Sequence, residues 1–275
     1  MIKELLLGIY HYKQRKFQNY HFWKETRSLM AESTEERDFS ELPLGKYLVL
    51  IPHSDDEWIG NSTLISDNKY QVELFDMDMP GGDSPKLHQI RYSEMKAMAN
   101  RFNRKLHSKK EGDRLSEVIT NYKPDYVTVP FFYDWHPEHR VVMSELKGVA
   151  AYGCGFKVVM YQVSVPIANY NITHMNPMDK KAAKRKWNLF KTVYGTQGFF
   201  PTYRIACHER INGKIAGKFA CEAFCVLGYS QWNRNYDNMI PGEDEIMKLK
   251  VYLNSIKDIR ECGQREIEWE RNSNI

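Results

Sequence analysis

The run Tyr47-Leu48-Val49-Leu50-Ile51 is apolar at every position and stops abruptly at Pro52-His53-Ser54-Asp55-Asp56-Glu57. Alternate residues of a strand face opposite ways, so an unbroken apolar run describes a strand covered on both faces, as in the parallel sheets of α/β proteins. Further short apolar or alternating runs fall at 71–75, 125–131 and 156–163, and stretches of helical character separate them at 85–102, 114–121 and 139–152. Strands alternating with helices predict an α/β chain with a doubly wound, mostly parallel sheet. An apolar helix is expected at 178–193. After it, runs at 203–211 and 218–226 meet at Asn212-Gly213, a turn signal that predicts a C-terminal β-hairpin. The spacing of Ile246, Leu249, Leu253, Ile256 and Ile259 predicts a closing amphipathic helix, opened by Pro241-Gly242-Glu243-Asp244.

Before the first strand, Leu5, Leu6, Leu7, Ile9, Tyr10, Phe17, Tyr20, Phe22 and Trp23 recur among basic groups, which predicts one or two amphipathic helices. Both ends therefore read as helical extensions of an α/β centre, in one enlarged domain of 275 residues. At 42% hydrophobic and 27% charged residues the chain can build a full core, which excludes wholesale disorder. The net charge of +4 is too slight to announce a nucleic-acid partner. It is concentrated between Met1 and Met30, where Lys3, Lys13, Arg15, Lys16, Lys24 and Arg27 face only Glu4 and Glu25. This segment is expected either to pack on the core or to lie against an anionic membrane. Neither a signal peptide nor a membrane span is expected. Cys154, Cys207, Cys221, Cys225 and Cys262 are odd in number and form no CxxC pair, so reduced thiols and a cytoplasmic location are expected.

In an open α/β sheet, ligands bind beyond the carboxyl ends of the strands, where the polar groups of His53 to Glu57 emerge. A turn uses Asp and Ser freely but has no need of a His beside three consecutive acids. Three adjacent carboxylates repel unless a cation offsets them, and a divalent metal does so while accepting imidazole and carboxylate ligands. Asp134-Trp135-His136-Pro137-Glu138-His139-Arg140 repeats the arrangement after the run at 126–132. If the two strands are neighbours, both loops face one crevice. Two imidazoles and a carboxylate supply three ligands and leave a fourth position for water, as at a catalytic zinc. One remaining carboxylate can take that water's proton and the remaining His can serve an oxyanion or a leaving amine, chemistry suited to hydrolysing an unactivated amide or ester.

Pro-His-Ser-Asp-Asp-Glu and His-Pro-Glu-His-Arg resemble the two signature motifs of the LmbE-like, or PIG-L-like, zinc-dependent N-acetylglucosamine deacetylases, which have a Rossmann-like fold. The resemblance runs from Lys46 to Leu227 and takes in Gly60, Arg91, Glu94, the run Met160-Tyr161-Gln162-Val163 and Cys221-Glu222-Ala223-Phe224. It divides the chain into an extension at 1–45, a catalytic core at 46–227, and a loop with an amphipathic helix at 228–275. It implies zinc, or another divalent ion, on His53, Asp56 and His139, with Asp55 as general base and His136 as the charged or proton-donating group near the carbonyl. It also implies Arg91 as a contact to the sugar or an anionic substituent, Glu57 as a support of the loop, and a small-molecule, lipid-linked or nucleotide-linked amino sugar as substrate. An oligomer is compatible with it.

Three departures stand out. Ser54 replaces the motif's second proline, Asn61-Ser62 replaces small glycine-rich sequence, and the basic stretch 103–113 lacks the usual Asp-Gly. Two other readings compete. Asp76-Met77-Asp78 resembles the metal-holding Asp-x-Asp of glycosyltransferases, and a family member could bind a glycan without turning it over, with the aromatic stretch 229–236 stacking on sugars or forming a loop around a buried Trp232.

Overall fold

The computed structural model describes residues 2–33, 36–150, 155–198, 200–262 and 265–269, with the side chains of 2–12 and 150 outside that description. In chain order the elements are α1 (Ile2–Glu32), β1 (Lys46–Ile51), α2 (Asp56–Ser66), β2 (Gln71–Asp76), α3 (Pro85–Arg101), β3 (Lys105–Ser108), α4 (Leu115–Tyr122), β4 (Tyr126–Pro130), α5 (Pro137–Ala150), β5 (Lys157–Tyr161), β6 (His174–Met178), α6 (Lys180–Val193), α7 (Thr202–Ile215), β7 (Ala220–Gly228), α8 (Tyr229–Met239), α9 (Glu243–Tyr252) and α10 (Ile256–Glu261). They form an α/β fold around one seven-stranded sheet of order β3-β2-β1-β4-β5-β7-β6, in which only β7 runs antiparallel to its neighbours.

The uninterrupted apolar run of β1 is explained by its place in the middle of this sheet. Leu48 and Leu50 pack on one face with Val127, Val129 and Met160 under α4, α5, α8 and α10. Tyr47, Val49 and Ile51 pack on the other with Leu74 and Val159 under α2, α3 and α6. The sheet is thus doubly wound, as expected. Strand order reverses between β1 and β4, so their carboxyl ends open into the crevice where such folds bind ligands.

The hairpin expected through Asn212-Gly213 is not formed. Residues 202–215 are helix α7, and its buried Arg204, Ile205, His208, Glu209, Ile211, Asn212 and Ile215 follow a helical period that over so short a stretch overlaps with strand alternation. Gly213 serves close packing instead of a turn, since a Cβ there would lie 2.5 Å from the Cα of Ala220. The chain reverses at Gly217, with φ +64°, and β7 pairs with β5 and β6.

Strands β3 and β6, which the hydrophobic pattern did not reveal, are the two sheet edges, where no continuous apolar run is required; β6 even carries Pro177. The stretch 229–236 is helix rather than loop, with Trp232 fully buried. The closing amphipathic segment divides into α9 and α10, because Ser255 caps the second helix by accepting from the Asp258 N–H at 3.1 Å. Of the helix expected at 139–152, residues 151 and 152 lie outside the described residues, as does Cys154; Cys207, Cys221, Cys225 and Cys262 are free.

Candidate active site

β1 ends at Ile51 and the chain turns into α2 within four residues, presenting His53, Asp55 and Asp56 at the crevice. Asp55 precedes the helix with φ 137°, a conformation that side chains rarely adopt, and its carbonyl accepts from the Ile59 N–H at 2.9 Å. Backbone strain of this kind persists only where surrounding contacts impose it. Here the Asp55 N–H donates to Glu57 Oε2 at 2.9 Å, and Glu57 Oε1 accepts from the Tyr194 hydroxyl. Gly60 lets α2 close on β5, since a Cβ there would lie 2.2 Å from the Tyr161 ring.

From the neighbouring strand, the loop after β4 and the first turn of α5 bring in Asp134, His136, Glu138 and His139. Asp56 Oδ2 lies 3.1 Å from His53 Nδ1 and 3.2 Å from His139 Nε2, and those two nitrogens are 3.2 Å apart. The far nitrogen of each imidazole meets a carboxylate: His53 Nε2 is 2.5 Å from Glu138 Oε2, and His139 Nδ1 is 3.1 Å from Asp134 Oδ2. The His136 ring sits 4.5 Å from that of His53 and 4.8 Å from that of His139.

The electrostatics follow from burying this many charges together. Burial, with repulsion from Asp56 and Glu57, raises the Asp55 carboxyl well above the usual range, while Arg91 and His139 oppose the rise. Burial likewise pushes Glu57 up to about 7. For Asp56, burial is outweighed by His139 and His53, which hold it ionised. Burial would lower His139, but Asp134 and Asp56 hold it up to about 10. His136 is pushed down to about 4 by burial and by the charges of His139 and His53.

The donor set fits a divalent cation. A tetrahedral ion with nitrogen and oxygen bonds of about 2.0–2.1 Å separates its ligand atoms by roughly 3.3 Å, close to the triangle made by His53 Nδ1, Asp56 Oδ2 and His139 Nε2. His53, His136 and His139 also offer nitrogens within 4.8 Å of one another, a looser set that shares two members with the triangle. A carboxylate behind each ligating imidazole, fixing its tautomer, is the usual outer arrangement of such centres.

The crevice therefore gathers His53, Asp55, Asp56, His136 and His139. Arg91, on α3, is near enough for its charge to reach Asp55, yet its guanidinium is paired with Asp83 at 2.8 Å. Asp134, Glu138 and Tyr194 join the site without a role expected from the sequence. The first two stood inside the second motif, and the need of each histidine for a partner at its far nitrogen could have singled them out; nothing local marks Tyr194. Asp76 and Asp78 are otherwise engaged. Asp76 accepts from the Ser108 hydroxyl at 2.7 Å and the Asp78 N–H at 2.9 Å, and Asp78 pairs with His88 at 2.7 Å.

No family model and no curated protein matches the chain. Among solved structures it is similar to the N,N'-diacetylchitobiose deacetylase from Pyrococcus horikoshii, over 72% of this chain and 88% of that one, with a TM-score of 0.54 and 18% identity. The chain has the fold of that deacetylase. A conserved protein from Thermus thermophilus is also similar, over 65% of this chain and 93% of that one, with a TM-score of 0.52 and 16% identity.

Proposed function

We propose that this protein is a metal-dependent amide hydrolase that removes the acetyl group from an N-acetylhexosamine-containing glycoconjugate, with zinc as its ion. The observation that carries the reading is the triangle of His53 Nδ1, Asp56 Oδ2 and His139 Nε2, with edges of 3.1–3.2 Å, at the β1/β4 crevice of a deacetylase fold. These three residues would hold the ion, which when bound supplies a Lewis acid that acidifies water and polarises an amide carbonyl. Asp55, beside the ligand Asp56 at the mouth of the crevice, takes the proton of the attacking water. His136, whose ring lies 4.5 Å from that of His53 and 4.8 Å from that of His139, offers a ring N–H to the carbonyl oxygen as charge develops on it. Asp134 and Glu138 hold the two ligating imidazoles in the tautomers that direct His139 Nε2 and His53 Nδ1 inward. Arg91, released from Asp83 or bridging to it, faces an anionic or hydroxyl group of the sugar.

The test is acetate release from a panel of N-acetylhexosamine compounds, free, nucleotide-linked and lipid-linked, with and without chelator, beside metal analysis of the purified protein. The expected result is about one divalent ion per chain and chelator-sensitive release, both lost in His139→Ala. A chain that holds no divalent ion and releases no acetate from any member overturns the reading.

A further inference from the structure

Helix α1 spans 31 residues and is fixed to the body along one side. Phe22 and Thr26 are buried, Gln18 donates to Asn254 Oδ1 at 3.1 Å, and Arg15 donates to the Gly198 carbonyl at 3.2 Å. The Glu25 carboxylate accepts from the Ile256 N–H at 2.6 Å and the Ser255 hydroxyl at 3.1 Å, where α10 begins. These contacts fix the helix about its own axis and so decide which residues face away from the protein.

The face turned away carries Lys13, Lys16, Phe17, Tyr20, Trp23, Lys24 and Arg27, at steps of three and one that keep them on a single stripe. Phe17 is 67% exposed, Tyr20 57% and Trp23 41%, and at successive steps of three they fall on one side of the helix as a patch rather than as scattered residues. Tyr20 and Trp23 stack at 5.8 Å, and the Arg27 guanidinium lies 5.0 Å from the Trp23 ring. The only carboxylate between residues 13 and 31 is Glu25, which the body of the protein consumes. Beside the stripe, a groove of about 520 Å³ between α1 and α7 has Trp23, Met30 and Tyr203 in its lining and Arg27 and Arg210 among its cations.

We propose that this face of α1 is a docking surface for an anionic lipid bilayer. Three aromatics flanked by cations, with the one acid of the segment turned inward, is the composition of a helix that lies in the plane of the interface, its rings at headgroup depth and its cations on lipid phosphates. The stripe covers 15 residues, a length of about 22 Å, enough to engage several headgroups at once. The helix lies on the membrane and does not cross it, since no described helix is long and apolar enough to span one. None of the stripe residues belongs to the β1/β4 crevice, so docking stands apart from the reaction proposed there.

The test is co-sedimentation of the full chain with vesicles of phosphatidylcholine alone and of phosphatidylcholine with phosphatidylserine. Wild type is expected to pellet only with the anionic vesicles, less so at high salt, with a blue shift of tryptophan emission that Trp23→Ser removes. Phe17→Ser/Tyr20→Ser/Trp23→Ser is expected to lose at least about tenfold in partitioning, and each of Lys13→Gln, Lys24→Gln and Arg27→Gln about fivefold. Thermal unfolding of the variants separates loss of docking from loss of fold, and acetate release from a water-soluble substrate stays at its wild-type level in all of them. Wild type that remains in the supernatant, or variants that pellet as wild type does, overturn the proposal. So does a dimer by light scattering that the triple serine variant dissolves while vesicles bind neither, because a second copy of the chain would then own the face.

Discussion

Helix α2 joins two buried clusters of charge that differ in how completely they are satisfied. At its start stand Asp55, Asp56 and Glu57 with His53, His136 and His139. Further along, the Lys186 ammonium is buried against Glu209 Oε1 and Glu222 Oε1, both at 2.5 Å, and donates to the Ile59 carbonyl at 2.6 Å. Glu222 also accepts from the N–H and hydroxyl groups of Ser62 and Thr63, and Glu209 from the Trp187 indole at 3.0 Å. The ammonium and both carboxylates of the second cluster are paired inside the chain, although α2 kinks beside them at Asn61, whose buried amide has no partner. The first carries a residue at φ 137°, a carboxyl raised by burial and by its acidic neighbours, and a buried His136 Nδ1 without a partner. Burial of charge is common to both. What separates a site from a fastening is the valence left over on the ionisable groups, which Lys186, Glu209 and Glu222 spend on one another and His136 keeps at Nδ1.

The largest effect is expected at Asp55. Asp55→Asn is expected to keep the bound metal and to lose activity by about 10²–10⁴-fold, the range of a removed general base, as read by turnover with metal content measured on the same sample. Comparable turnover in that variant assigns the base elsewhere. At the other end of α2, Lys186→Met leaves two carboxylates buried without their cation and is expected to destabilise the fold by about 3–5 kcal/mol in urea titration. Metal content and turnover per folded molecule should not change, and a specific loss of either makes the second cluster part of the site.

Smaller effects sharpen the same contrast. Asp134→Asn or Glu138→Gln should weaken metal binding about 10–100-fold in a chelator competition, because each frees one imidazole to rotate or change tautomer. If neither change moves the affinity, the ion does not sit on His53 and His139. The smallest effect concerns His208, a third kind of buried group, with neither ring nitrogen paired. Burial, with the charges of Arg260 and Arg204, holds its proton affinity well below the usual 6.5. The unfolded chain therefore takes up a proton that the folded chain refuses, so stability is retained above pH 6.5 and lost below it by up to about 1.4 kcal/mol per pH unit. His208→Asn should flatten that slope between pH 6.5 and 5, and an unchanged slope moves the acid sensitivity to another group.

The fold and the crevice were legible where a residue's neighbours in sequence state its surroundings. Tyr47 to Ile51 announced a strand covered on both faces, and the two histidine motifs stood at the ends of strands that prove to be adjacent. Alternation failed at 203–211, where a helical and a two-residue period overlap over so short a stretch that only packing against Ala220 decides between them. Edge strands β3 and β6 carried no signal because an edge needs hydrogen bonds more than apolar side chains. The departure at Asn61-Ser62 reads differently in three dimensions: Ser62 and Thr63 fasten α2 to β7 through Glu222, so the change from small residues serves attachment. Residues 105–108 of the basic departure form β3, and Lys109 just beyond it pairs with Glu145.

Sequence alone determined the doubly wound sheet, the two loops and the residue types that a divalent ion requires, since period, strand ends and ligand chemistry are properties of short segments. Tertiary structure alone decided which carboxylate stands behind which histidine, that Tyr194 supports Glu57, and that α1 turns its aromatic and basic side outward. Those relations join residues as far apart as 57 and 194, or 25 and 256, and depend on how helices are rotated about their axes once their buried faces have found partners. A linear pattern states which faces exist; the packed core states where each one points.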